Sequence, residues 1–278
     1  MIVKMIVTDM DGTFLNDQHT YNHRLFKKVL KQMQKYDIKF VLASGSSFPR
    51  LTREFKGFED QLDFISQNGS VVHEGTQLAD YTPIDPHDIT YLLREIPKAF
   101  PAEHISELIV AGIDTAYVDQ RMSPASLAET KIFYENVTVV DDLTKVTQLF
   151  PDEHFTKVAI CFAPEVSPTQ FKRILDGILP DNLLMEVSGF NTELIGQAGA
   201  TKANALIQLL ERDGINPEHV VTFGDNENDL GMLTMTRQSY AMKNAAPLIQ
   251  MQAANITEFD NNHDGVLRQI SQLLKEMR

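Results

Sequence analysis

The chain has 278 residues, enough for one large domain or two modest ones. Hydrophobic residues make up 43% and charged residues 23%, a balance that excludes a disordered or collagen-like chain. Lys and Arg number 25 against 38 Asp and Glu, and a formal charge of −13 disfavours holding a nucleic-acid backbone or an anionic membrane surface while leaving a local anion site open.

The N-terminal run Met1-Ile2-Val3-Lys4-Met5-Ile6-Val7 is apolar but short, and passes into Thr8-Asp9-Met10-Asp11-Gly12 without a small-residue cleavage site. It reads as a buried parallel strand rather than a secretory leader. Residues 23–36 place Leu25, Phe26, Val29, Leu30 and Met33 at helical spacing. Residues 38–43 and 64–66 read as the second and third strands, and strand–helix–strand with short connections marks an α/β sheet. Pro83 and Pro86 bracket a composition shift. Beyond them, helix-like stretches at 87–98, 124–134 and 168–178 mix with strand-like stretches at 108–110, 137–140, 158–162 and 183–187. Cys161, the single cysteine, excludes an intrachain disulfide and a cysteine zinc cluster, and fits a reducing, cytoplasmic setting. The α/β pattern then returns: a helix from Lys202 ending at Asp213-Gly214, a strand at 220–223, further strands at 238–242 and 255–257, and a last helix at 265–277. No apolar run is long enough to span a membrane. The expected architecture is a Rossmann-like parallel sheet core, residues 1–83 and 188–278, with an α+β domain, residues 84–187, inserted into it.

Chemistry concentrates where strands end. Asp9 and Asp11, one residue apart after the first strand, put two carboxylates at one place, and their repulsion calls for a cation or a proton. An Asx turn leaving a strand accounts for the same residues taken alone. A second acidic cluster, Gly224-Asp225-Asn226-Glu227-Asn228-Asp229, also follows a strand. Hard oxygen ligands of this kind suit Mg²⁺, while an acidic helix start explains the composition but not its recurrence at two strand ends. Lys202 opens a helix and could neutralise a phosphate, although a lone Lys is commonly a solvated surface group. Ser44-Gly45-Ser46 follows the second strand and reads equally as an anion site or a Ser N-cap. The eight histidines show no metal-ligand spacing and are expected to be structural or solvated. His104, Arg121 and Lys157, in the inserted region, are expected to be surface groups as readily as substrate contacts.

These pieces, in this order, resemble the haloacid dehalogenase-like superfamily, most closely its Cof-type (type IIB) phosphatases. Asp9-Met10-Asp11-Gly12-Thr13 matches the nucleophile motif, Lys202 the third-motif lysine, and Gly224 to Asp229 the metal motif. Gln67-Asn68-Gly69, Met242-Lys243-Asn244-Ala245 and Asp264-Gly265-Val266 are also family-like. The second motif departs from the usual Thr-Gly-Arg: Ser46 lacks the guanidinium, and Arg50, one helical turn on, is the candidate replacement. The resemblance implies a phosphatase acting on a small phosphorylated metabolite, a sugar phosphate or a phosphorylated cofactor. A phosphotransferase or mutase, and a non-catalytic binding protein on the same fold, are the alternatives. It implies Asp9 as nucleophile and Asp11 as acid–base. Mg²⁺ would be held by Asp9, the carbonyl of Asp11 and Asp225, and phosphate by Ser44, the amides of Met10 and Gly45, Lys202 and Asn228. Asp229 would support Lys202 or a metal-bound water. The inserted domain would be a lid that sets substrate choice.

Overall fold

A strand that is apolar on both faces must be covered on both, and all four residues of β1 (Met5–Thr8) are buried. The structure is a computed structural model that describes residues 2–163, 168–187 and 192–277. The further strands are β2 (Lys39–Ala43), β3 (Asp63–Ser66), β4 (Val71–Glu74), β5 (Gln77–Tyr81), β6 (Ile105–Ala111), β7 (Ala116–Asp119), β8 (Val137–Val140), β9 (Lys157–Phe162), β10 (Leu183–Val187), β11 (Thr192–Gln197), β12 (Val220–Gly224), β13 (Gln238–Ala241) and β14 (Asn255–Ile256).

One sheet runs β14-β13-β12-β1-β2-β3-β4-β5. It is parallel from β14 to β3, and β4 returns antiparallel to β3. The helix His23–Lys35 joins β1 to β2, capped by Asn22, and buries Phe26, Val29, Leu30 and Met33. The helix Lys202–Asp213 is capped by Thr201 and ended by Gly214 in the left-handed conformation at φ 63°. Phe14, just beyond the Asp9–Asp11 segment, sits 5.3–5.8 Å from the rings of Tyr21, Phe26, Phe40 and Phe55. This aromatic cluster anchors the loop that leaves β1.

The second sheet runs β10-β11-β9-β6-β7-β8, antiparallel except between β7 and β8. Ile89, Leu92, Leu93 and Ile96 of the helix Pro86–Ala99 pack with Val110, Val158, Ile160 and Ile195 of this sheet.

The chain divides into two compact units, Met1–Ser44, Glu54–Ala79 and Thr201–Arg278 in the first, Gly45–Arg53 and Asp80–Ala200 in the second. These bounds differ from junctions at 83/84 and 187/188. Strand pairing explains the second junction: β11 pairs with both β9 and β10, so the second unit extends to Ala200. Residues 188–191, where the core was expected to resume, lie outside the described residues. Gly45–Arg53 joins the second unit through Arg50, whose guanidinium lies 5.6 Å from the Phe133 ring, and Arg53, which pairs with Glu135 at 2.6 Å. Arg50 also donates to Ser46 Oγ at 2.7 Å. Lys157 is not a surface group: it is buried, 3.6 Å from Glu186.

Candidate active site

Register builds the site. Thr8 at the end of β1 lies beside Phe223 of β12 and Leu42 of β2, so the residues that follow, Asp9, Gly224-Asp225 and Ser44, emerge at one carboxyl edge. Ligands of open α/β sheets bind outside that edge. The amide of Asp9 donates to the Phe223 carbonyl at 3.0 Å and locks the two strand ends together. Gly12 turns the chain at φ 81°, and a Cβ there would fall 2.5 Å from Asp225 Oδ2. Any larger residue would collide with that carboxylate in a backbone conformation costly for L-residues. Thr13 then donates to Asp225 Oδ1 at 2.5 Å, a contact the motif reading did not supply.

Lys202 is the centre of charge. Its Nζ is fully buried, 2.5 Å from Asp9 Oδ1 and 2.8 Å from Asp229 Oδ1. Burial works against the ammonium, but the Asp229 and Asp9 carboxylates outweigh it and hold its pKa above the usual lysine value. The other oxygen of Asp229 accepts from the amides of Asp225 at 3.0 Å and Asn226 at 3.1 Å. Both oxygens of Asp229 are thus engaged, one by Lys202 and one by the loop that follows β12.

The carboxylates of Asp9, Asp225 and Asp229 lie within 4.8 Å of one another, three negative groups against one ammonium. Burial raises the Asp9 pKa well above its ordinary value, opposed by Lys202 and reinforced by Asp229 and Asp225. Burial also pushes Asp225 up to about 6, with the Thr13 hydrogen bond opposing and Asp229 adding to the rise. This excess of buried and half-buried negative charge fits a divalent cation, and Asp9 and Asp225 supply hard oxygen donors of the kind Mg²⁺ prefers.

Because the folded pKa of Asp225 is raised, its contribution to stability is present below about pH 4 and lost as pH rises through about 6. His73, pushed by burial down to about 4, acts in the opposite sense over an overlapping window, so the comparison must be with Asp225→Asn. Metal-free wild type should lose about 2–3 kcal/mol relative to that variant between pH 4 and 7. Urea unfolding at each pH reads the difference, and Mg²⁺ should shrink it at pH 7.

Asp11 is exposed, its Oδ1 3.0 Å from His19 Nδ1, so His19, expected to be structural or solvated, is half exposed and in contact with Asp11. Met10 is buried, and its carbonyl accepts from the amides of Thr13 and Leu15. Ser44 is buried and pinned by its backbone: its amide donates to Ile65 and its carbonyl accepts from Asn68. Asn228 donates to Asn68 Oδ1 at 3.1 Å. Gly45 opens the segment grouped with the second unit. Gln67, Asn68 and Gly69 stand consecutively at φ 50°, 55° and 98°. Two non-glycine residues in this region cost about 1–2 kcal/mol each, strain of the kind that gathers at functional sites. A Cβ on Gly69 would strike the carbonyl of Thr201, so this turn packs onto the first turn of the Lys202 helix.

Fold and site together define a haloacid dehalogenase-like hydrolase: the model of that family matches residues 6–270, and the chain belongs to it. A 5-amino-6-(5-phospho-D-ribitylamino)uracil phosphatase of Escherichia coli is 31% identical over 99% of this chain and 97% of its own length. A Bacillus subtilis phosphatase of the same name is 25% identical over 95% of each. A solved Streptococcus mutans structure superposes with a TM-score of 0.86 at 31% identity, covering 98% of this chain and 99% of that one. A HAD subclass IIB sugar phosphatase shares the fold, with a TM-score of 0.76 at 17% identity, covering 98% and 99%. Within the family the chain is a Cof-type phosphatase. Among the described residues no helix is long and apolar enough to cross a membrane.

Proposed function

We propose that the chain hydrolyses a small phosphorylated metabolite in two steps, with a phosphoryl group held on Asp9 between them. The observation that supports this most is the setting of Asp9: a buried carboxylate at a central strand end, 2.5 Å from Lys202 Nζ and clustered with Asp225. In the first step an Asp9 oxygen attacks phosphorus, the ester P–O bond breaks, and Asp11 gives its proton to the departing oxygen. In the second, Asp11 takes a proton from water, the water oxygen attacks phosphorus, the Asp9–phosphorus linkage breaks, and inorganic phosphate leaves. Lys202, Ser44, Asn228 and the amides of Met10 and Gly45 are the proposed holders of the phosphoryl oxygens. Asp229 keeps Lys202 in place through the 2.8 Å pair. Mg²⁺, held by Asp9, Asp225 and the carbonyl of Asp11, would neutralise charge on the phosphoryl group.

The second unit is the proposed selector of the leaving group. The names of the two uracil-derivative phosphatases make their ribityl phosphate the first compound to assay, ahead of sugar phosphates and flavin mononucleotide. The test is phosphate release from such a panel with Mg²⁺ and with EDTA. Release that requires Mg²⁺ is expected. Full release in EDTA would overturn the metal assignment, and tight binding of a compound without release would favour a binding protein.

A further inference from the structure

We propose that His19 is a positioning residue for Asp11, fixing which of its carboxylate oxygens carries the transferable proton. The inference rests on the reading of Asp11 as the acid–base. His19 Nδ1 lies 3.0 Å from Asp11 Oδ1.

The loop that delivers this contact is built from within and tied from without. The amide of His19 donates to the Asn16 carbonyl at 2.9 Å, and the amide of Asn16 donates to the Thr20 carbonyl at 2.9 Å. Asn16 Oδ1 accepts from the amides of Gln18 at 3.0 Å and Thr20 at 3.1 Å. The Asp17 carboxylate accepts from Asn261 Nδ2 and Asn262 Nδ2, each at 3.0 Å, and the Asp17 amide donates to Asn262 Oδ1 at 3.0 Å. His19 itself sits at φ 53°, a left-handed residue in a closed turn.

A carboxyl group that gives a proton to a leaving alkoxide and later takes one from water needs one oxygen aimed at the reacting atoms. With its proton on Nδ1, the imidazole donates to Asp11 Oδ1, holds the carboxyl plane, and directs the transferable proton to Oδ2. The two side chains are 57% and 43% exposed, so water competes for the bond. Its net effect is then a factor of about ten, not the full contribution of an acid–base.

The test separates hydrogen bonding from loop shape and uses the Mg²⁺-loaded enzyme. Glycine and asparagine both accept the left-handed backbone, but only asparagine keeps a donor near the position of Nδ1. His19→Gly should lower kcat on an alkyl phosphate, whose leaving oxygen needs a proton, by about tenfold with KM unchanged. The burst of p-nitrophenolate from p-nitrophenyl phosphate, whose leaving group needs no proton, should stay within about twofold. His19→Asn should restore most of the alkyl phosphate rate. Equal losses on both compounds, no rescue by asparagine, or an unchanged alkyl phosphate rate in His19→Gly would each overturn the inference. Asp11→Asn tests the underlying reading separately. If that variant keeps alkyl phosphate turnover, Asp11 is not the acid–base. If it loses turnover while His19→Gly behaves as wild type, the His19 inference alone fails.

Discussion

Asp9→Asn should reduce turnover by at least about 10⁴-fold while the protein stays folded. An amide oxygen is too weak a nucleophile to form the covalent linkage, and among the described residues the neighbouring carboxylates of the cluster have other partners. Asp229 is committed to Lys202 and two backbone amides, and Asp225 accepts from Thr13. The fold should tolerate the change because two terms oppose each other. The variant trades an ion pair with Lys202 for a weaker hydrogen bond to a neutral amide oxygen, yet it also removes one of three crowded carboxylates, whose charge burial already disfavours. Stability should change by no more than about 1 kcal/mol. Steady-state phosphate release gives the first quantity and urea unfolding the second. A variant that keeps near wild-type turnover would remove Asp9 from the chemistry.

Lys202→Met should be the most damaging single change to stability in the site. Methionine has a similar length and no charge, so packing is roughly kept while Asp9 and Asp229 lose their common partner. Breaking a buried ion pair from one side costs about 3–5 kcal/mol, because the stranded charges stay buried. With Asp225 beside them, three carboxylates would face one another without the Lys202 ammonium. The loss should therefore be largest above about pH 6, where Asp225 is ionised, and smaller at lower pH. Activity should fall with it, since Lys202 both orients Asp9 and is proposed to meet the phosphoryl group. A Lys202→Met protein as stable as wild type at pH 8 would contradict the electrostatic account.

The parallel core was readable because its central strands are continuous apolar runs with no polar alternation, as β1 and β12 show. The placing of the candidate site was readable at the same places, since an acidic motif directly following such a run must lie at the carboxyl edge. Other parts were not. β5 exposes four of its five residues, so no apolar period marks it. β11 carries Glu193 and Gly196; a Cβ at Gly196 would fall 2.4 Å from Lys157 Nζ, so the glycine belongs to the packing of a buried lysine rather than to a strand pattern. Lys157 reads as a surface group or a substrate contact, and neither reading includes its burial, because nothing local signals the space across the sheet. Thr13 reads as a motif letter, yet its partner, Asp225, is 212 residues away. His19 reads only as a structural or solvated histidine, and the closed turn from Asn16 to Thr20 is what brings its ring to Asp11. The left-handed run at residues 67–69 is equally silent, being imposed by packing against the Lys202 helix.

In the proposed reaction the phosphoryl group passes through a covalent linkage to Asp9. That linkage is tested most directly by mixing enzyme, Mg²⁺ and a turned-over phosphomonoester, quenching with hydroxylamine, and mapping the modified peptide by mass spectrometry. Hydroxylamine converts an acyl phosphate to a hydroxamate, so modification should appear at Asp9 alone and only when substrate is present. Modification at a different carboxylate, or steady phosphate release with no modification anywhere, would contradict it.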